Sequence, residues 1–66
     1  MAPLFVLKAV FEFLEQKEAY DYEIDSYYRF ANVTLRYSDV HTTYHFNFNA
    51  ATKEVSNYVV DSKQII

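Results

Sequence analysis

The sequence predicts an α+β fold in which one N-terminal helix packs on a three-stranded antiparallel β-meander. Three observations support this class. Apolar residues of the N-terminal segment recur with the spacing of a helix, later residues alternate between apolar and polar, and polar turn segments separate the alternating runs. We expect the 66 residues to form one domain, 1–66. A domain of this size buries only about 60% of its unfolded surface.

The predicted helix covers about residues 3–19. Pro3 suits the first turn, where its missing N–H costs nothing, and most of the following residues are good helix formers. One apolar stripe consists of Leu4, Leu7, Phe11 and Leu14. We expect this stripe to pack on the sheet, with Phe11 and Leu14 in the core.

A second apolar surface lies beside that stripe on the same helix. It comprises Phe5, Val6, Ala9 and Phe13. A three-stranded sheet is only about 14 Å wide and can cover just one of the two surfaces, and an exposed apolar area of this extent is unusual on a monomer. The sequence therefore predicts a homodimer formed through the second surface, with docking on a different protein as the alternative.

A connector over residues 20–28 leads into strands at about 29–37, 42–49 and 54–61. The strands are predicted because β-branched and aromatic residues alternate with polar ones, as in half-buried antiparallel strands. A loop over residues 38–41 lets Leu35 face Tyr44 and Val33 face Phe46 across the first hairpin, which aligns the two apolar faces.

The second predicted hairpin turn runs over residues 49–54, Asn-Ala-Ala-Thr-Lys-Glu. Its composition resembles the Asp-Ala-Thr-Lys hairpin turn of immunoglobulin-binding protein G domains. The resemblance covers these six residues and implies the geometry of the turn alone. Pairing Asn49 with Glu54 sets Phe48 against Val55 and places Asn57 on the core face, where a sheet edge or a β-bulge would accommodate it.

The composition excludes several classes of function. The chain has no glycine and no cysteine, which rules out glycine-loop nucleotide binding and cysteine nucleophiles. His41 is predicted in a turn and His45 on the following strand, about 13 Å apart if the chain is extended, which is too far to share a metal ion. The chain also leaves little room for a small-ligand cavity of several hundred Å³. We therefore expect no enzyme activity, no metal and no cofactor.

The electrostatic asymmetry of the chain predicts a protein partner. The formal charge is −3, and six acidic residues fall between positions 12 and 25. Tyrosine gives large contact area at low entropic cost, so tyrosines among acids suit a basic protein surface. The predicted partner-binding residues are Tyr20, Tyr22, Glu23, Asp25 and Tyr27. We expect a small acidic protein-interaction module, by analogy with phage and mobile-element inhibitors or accessory proteins.

Two alternatives remain at this stage. The outer face of the predicted sheet carries Phe30, Arg36, His45 and Tyr58, the ingredients of a platform for single-stranded nucleic acid. The acidic charge argues against that alternative because phosphate binding needs a positive field. The other alternative is a structural protein that associates only with itself.

The N-terminal segment does not have the pattern of a signal peptide or a membrane span. Lys8 interrupts it, no basic residue precedes it, and the sequence Glu-Gln-Lys-Glu follows at positions 15–18. A span needs about 20 apolar residues. We expect a cytoplasmic protein that does not enter membranes, and the absence of cysteine fits that compartment.

Overall fold

A computed structural model describes all 66 residues. The fold is α+β, with one helix and a four-stranded antiparallel sheet rather than the predicted three strands. The elements in chain order are α1 (Leu4–Gln16), β1 (Tyr22–Ser26), β2 (Phe30–Arg36), β3 (Val40–Phe48) and β4 (Val55–Gln64). The strands follow one another in space in the order β1-β2-β3-β4, so β1 and β4 are the two edges.

The additional strand, β1, lies in the segment predicted as a connector. Tyr22, Ile24 and Ser26 face Leu35, Val33 and Ala31 of β2, and the acids between them face the other side of the sheet. Acidic residues are poor strand formers, so the alternation in this segment does not by itself predict a strand.

The helix begins after Pro3, whose carbonyl accepts hydrogen bonds from the N–H groups of Val6 (3.0 Å) and Leu7 (3.2 Å). At the other end, the Ala19 N–H donates to the Leu14 carbonyl and the Glu18 N–H to the Glu15 carbonyl, both at 3.1 Å. This pair of bonds is the Schellman motif, which requires a left-handed residue at its centre. Glu18 fills that position with φ 52°.

Replacing Glu18 by glycine is expected to stabilise the protein by about 1 kcal/mol, because the left-handed conformation costs a residue with a Cβ atom and costs glycine little. Urea unfolding followed by circular dichroism measures the change. Gln16→Gly is the control. Gln16 lies inside the last helical turn, so glycine there should destabilise by about the same amount. A loss of stability in Glu18→Gly would contradict the conformational argument.

The helix face that packs on the sheet is not the predicted one. The buried helical residues are Val6, Val10 and Leu14, and Val6 and Val10 are 0% exposed. Val10 and Leu14 pack in one buried cluster with four residues of the sheet, Ala31, Val33, Leu35 and Phe46. Of the predicted stripe, Leu14 alone is buried, whereas Leu4 is 81% and Phe11 52% exposed. The buried positions are spaced four residues apart, a neighbouring stripe on the same helix.

The predicted self-association surface is therefore the side of the helix that packs on the sheet. Val6 is fully buried. Phe13 makes edge-to-face contacts with Tyr44 and Phe46, at centroid distances of 4.7 and 5.2 Å. Phe5 contacts the ring of Phe48 in the same way, at 5.3 Å, and Ala9 is half-buried. The prediction that these four residues are available to a second copy is thus wrong.

The predicted register is wrong for the β2–β3 hairpin and correct for the β3–β4 hairpin. Across β2 and β3, Leu35 faces Thr42 and Val33 faces Tyr44, a shift of two residues from the predicted pairing. The loop is shorter than expected, because the Tyr37 N–H already donates to the Val40 carbonyl. Across β3 and β4, the predicted register is confirmed, with pairs that include Phe48–Val55, Phe46–Asn57 and Tyr44–Val59.

A β-bulge interrupts β4 at Val60. Tyr44 pairs with Val59 and Thr43 pairs with Asp61, so Val60 has no partner on β3. Asn57 is exposed on the same edge strand, where an amide on the helix-facing side of the sheet remains solvated. The single helix of the protein is neither long nor apolar enough to cross a membrane.

Candidate protein-interaction surface

The exposed edge strand β1 carries most of the predicted partner-binding residues. Glu23 and Asp25 are exposed on the outer face of the sheet, opposite Thr34 and Asn32. Tyr22, on the helix side, is 39% exposed, and Tyr20, which precedes the strand, is 93% exposed. The structure therefore gathers four of the five predicted residues along one free edge.

Tyr27, the fifth predicted residue, belongs to a different feature. Its ring stacks on Phe30 with a centroid distance of 4.7 Å and an interplanar angle of 24°. This contact places Tyr27 at the end of an aromatic row on the outer face of the sheet.

Arg36 determines which acids of the β1 edge are free. Its guanidinium contacts the Asp21 carboxylate at 3.1 Å and the Glu23 carboxylate at 3.3 Å. The hydrogen bond and charge of Asp21, aided by those of Glu23, raise the pKa of Arg36 above its ordinary value. Asp25 forms no ion pair. Asp25 is therefore the acid of this edge most available to a basic partner.

An exposed apolar strip lies on the flank of α1 that is turned away from β3. The strip consists of Leu4, Leu7 and Phe11, which point within about 60° of one another on a helix. Phe13 points about 160° away from Phe11 and contacts β3, so the strip lies on the opposite flank of the helix. Leu7 is half-buried, and the other two residues are exposed.

Acidic groups lie along one side of this apolar strip. Glu12 and Glu15 lie next to it on the helix and are exposed, whereas Asp25 stands on the β1 edge with its side chain on the outer face of the sheet, opposite the helix. Lys8 neutralises Glu12 in part, at 4.0 Å, in an exposed i,i+4 pair that contributes little to stability. We call the apolar strip together with the β1 edge the β1 surface. The sequence predicts the residues of the strip in the core, whereas Leu4 and Phe11 are exposed in the structure.

The outer face of the sheet carries a row of aromatic rings. From Tyr27 the row continues through Phe30 to His45, with centroids 5.0 Å apart, and from His45 to Tyr58 at 5.2 Å. The Nδ1 atom of His45 lies 2.9 Å from Oδ1 of Asn32, which orients the imidazole. Cross-strand contacts of this kind stabilise the sheet.

The close spacing of the rings in this row limits the surface available for stacking nucleic-acid bases. Phe30 and His45 each have a ring neighbour on both sides, which leaves only the outermost rings with a free face for base stacking. Arg36 lies at the other end of β2 and is ion-paired. Nucleic-acid binding by Phe30, Arg36, His45 and Tyr58 stays a prediction, which anisotropy titration with labelled single strands at low salt would test.

An open groove of about 620 Å³ lies at the end of the sheet where α1 begins. Its walls are mostly apolar and include Phe5, Tyr28 and Phe48, and Arg29 is the only charged residue that lines it. The sequence predicts little room for such a space in so short a chain, and this open groove is larger than that prediction.

His41 and His45 both lie on β3, and no group of three or more His, Asp or Glu side chains is placed to hold a metal ion. No protein-family model, curated protein or solved structure matches this chain.

Proposed function

We propose that this chain is a small acidic protein-interaction module without enzyme activity, and that the β1 surface binds a basic amphipathic segment of another protein. The observation that carries the proposal is the exposed apolar strip Leu4, Leu7 and Phe11 with the exposed acids Glu12 and Glu15 beside it on the helix. Large apolar side chains in water at a rim of charge are typical of interaction sites.

Each part of the β1 surface matches a feature of such a partner. The apolar strip would receive apolar side chains of the partner, which supply most of the binding energy. Glu15 beside the strip, and Asp25 on the β1 edge, which lacks an ion pair, would attract lysine or arginine of the partner. Complementary charge of this kind mainly raises the association rate and the specificity.

The free edge of β1 adds a second mode of contact. β1 pairs only with β2, so alternate backbone N–H and C=O groups of its outer side have no partner within the sheet. An extended segment can bind such an edge by adding a strand. The exposed tyrosines Tyr20 and Tyr22 flank the start of this edge and offer contact area to the same segment.

Site-specific photo-crosslinking in the native host tests the proposal. A benzophenone amino acid replaces Tyr22 on the β1 edge or, as a matched control, Tyr58 on the opposite edge strand. These tyrosines are both partly exposed, at 39% and 54%. We expect position 22 to crosslink to a discrete protein other than this chain, through a basic amphipathic segment, and position 58 to crosslink to no protein other than a second copy of this chain.

Charge reversal at Asp25 sharpens the test. Asp25→Lys in the Tyr22-labelled protein should abolish the crosslink, and high salt should weaken it. Asp39→Lys, an equal change of charge in the exposed β2–β3 turn, should leave it unchanged. A crosslink from position 22 that survives Asp25→Lys, or the absence of any discrete crosslink there, would overturn the proposal.

A further inference from the structure

The free edge of β4 is the longest unpaired strand edge in the molecule. β4 has ten residues, bonds to β3 alone, and has nine residues exposed. Tyr58, Val59 and Val60 are each more than half exposed in its centre, at 54%, 51% and 51%. An edge of this length, with its backbone groups unpaired, is a template for another strand.

The charges on the two edges indicate which edge accepts a second copy of the chain. β1 is short and carries Glu23 and Asp25, so two β1 strands paired antiparallel would bring like charges together. β4 carries one acid, Asp61, and one base, Lys63, and no proline. β4 therefore lacks the repulsion that protects β1.

We propose that two copies of this chain pair through β4 in antiparallel orientation, forming a homodimer with one continuous eight-stranded sheet. The inference stands independently of the proposed function of the β1 surface. It also differs from the helix-mediated dimer predicted from sequence, because it uses an edge that the structure leaves open rather than residues that it buries.

The bulge at Val60 determines the register. The Asn49 N–H donates to the Glu54 carbonyl (2.9 Å), so Glu54 and every second residue after it direct their backbone groups to β3. The residues between them, Val55 and Asn57, direct their backbone groups to the free edge. The extra residue at the bulge changes which residues bond to β3. Beyond it, Ser62 and Gln64, which pair with Thr42 and Val40, direct their backbone groups to the free edge.

A two-fold axis between Val59 and Val60 satisfies both halves of the strand. Asn57 then pairs with Ser62 of the second copy and Val55 with Gln64 of the second copy, giving about eight hydrogen bonds from these narrow pairs. All four residues lie on the helix side of the sheet, so the side chains paired across the two copies lie on the same face of the continuous sheet. Without the bulge, a two-fold axis would have to place one residue opposite the same residue of the second copy. With the bulge, the axis lies between Val59 and Val60, and all ten residues of β4 take part in the pairing.

The side chains on the outer face are compatible with this register. Asp61 lies opposite Tyr58 of the second copy, and Lys63 lies opposite Ser56 of the second copy, so no like charges meet directly. The valines of the two copies meet at the axis. An edge pairing buries less than the about 1,600 Å² of a standard interface, so we expect a dimer that dissociates in the micromolar range.

In this arrangement the two β1 edges lie at opposite ends of the eight-stranded sheet, and both α1 helices lie on the same face. Pairing through β4 thus leaves both β1 surfaces open. The dimer would present two binding sites to a repetitive partner and gain avidity from their linkage.

Proline substitution at the free edge tests the pairing. The Asn57 N–H points away from β3, so Asn57→Pro removes an intermolecular donor without removing a bond inside the sheet. Sedimentation equilibrium over a hundredfold concentration range should show a concentration-dependent dimer for the native chain. It should show the 7.9 kDa monomer throughout for Asn57→Pro, with unchanged far-UV circular dichroism.

A second variant keeps the test decisive if proline disturbs the fold. Val59→Lys places positive charges from both copies beside the axis and should also give a folded monomer. Tyr22→Ala on the other edge should leave the dimer fraction unchanged. Hydrogen exchange at Asn57 and Ser62 should slow as the native chain dimerises. A native chain that stays monomeric, or a folded Val59→Lys variant that dimerises like it, overturns the inference.

Discussion

Phe46→Ala is expected to remove a large fraction of the free energy of unfolding of the protein. Phe46 is the largest fully buried side chain, at 1% exposure. Its ring contacts that of Phe13 on the helix, and it lies in the buried cluster with Val10, Val33 and Leu35. Removing a buried phenylalanine ring costs about 3–5 kcal/mol. At 0.05–0.15 kcal/mol per residue, a chain of this length has only about 3–10 kcal/mol in total.

The matched control for this substitution is Phe11→Ala. Phe11 is 52% exposed and outside the buried cluster, so we expect a loss below about 1 kcal/mol. Urea titrations of both variants, followed by far-UV circular dichroism, compare the same chemical change at a buried and at an exposed position. Equal losses in the two variants, or a larger loss in Phe11→Ala, would contradict the orientation of α1.

The orientation of α1 was the main element that the sequence could not determine. The helix carries apolar residues around most of its circumference, so two stripes, one through Leu7 and Phe11 and one through Val6 and Val10, satisfy the same periodicity. Packing decides between them. The short side chains of Val6 and Val10 let the helix approach the sheet closely, and Phe5 and Phe13 then reach the rings on β3.

The strands could be predicted more completely than the helix face. Alternation identified β2, β3 and β4, and the turn at residues 49–54 fixed the β3–β4 register correctly because the Asn49–Glu54 pairing has a definite geometry. The β2–β3 register was wrong by two residues because a shift of two keeps every side chain on its own face. The apolar pattern excludes odd shifts only.

The candidate site was predicted in part, for reasons of the same kind. The tyrosines and acids were recognisable from their spacing, but β1 was not, since acidic residues are poor strand formers. Arg36 offsets the acid repulsion through Asp21 and Glu23, and the connector sequence alone gives no sign of that arginine. The apolar strip was visible as a pattern, and only the packing of Val10 against β2 and β3 leaves it exposed.

Phe13→Glu is expected to unfold the protein, whereas Phe11→Glu is expected to leave it folded. The Phe13 ring lies 4.7 Å from Tyr44 and 5.2 Å from Phe46, so a carboxylate there loses both contacts and is desolvated between aromatic rings. We expect a loss of at least about 3 kcal/mol from these two effects together. At Phe11 the same carboxylate stands in water, beside Glu12 and Glu15, and costs little in stability.

The two glutamate variants differ further in what they do to binding. Phe11→Glu adds charge to the apolar strip of the β1 surface, so the folded variant should lose the crosslink from position 22 while it retains the β4-mediated dimer. Thermal melts, sedimentation equilibrium and crosslinking on the same two proteins measure all three properties. A folded Phe13→Glu that fails to dimerise would restore the helix-mediated dimer inferred from sequence. An unfolded Phe11→Glu would place the apolar strip back in the core.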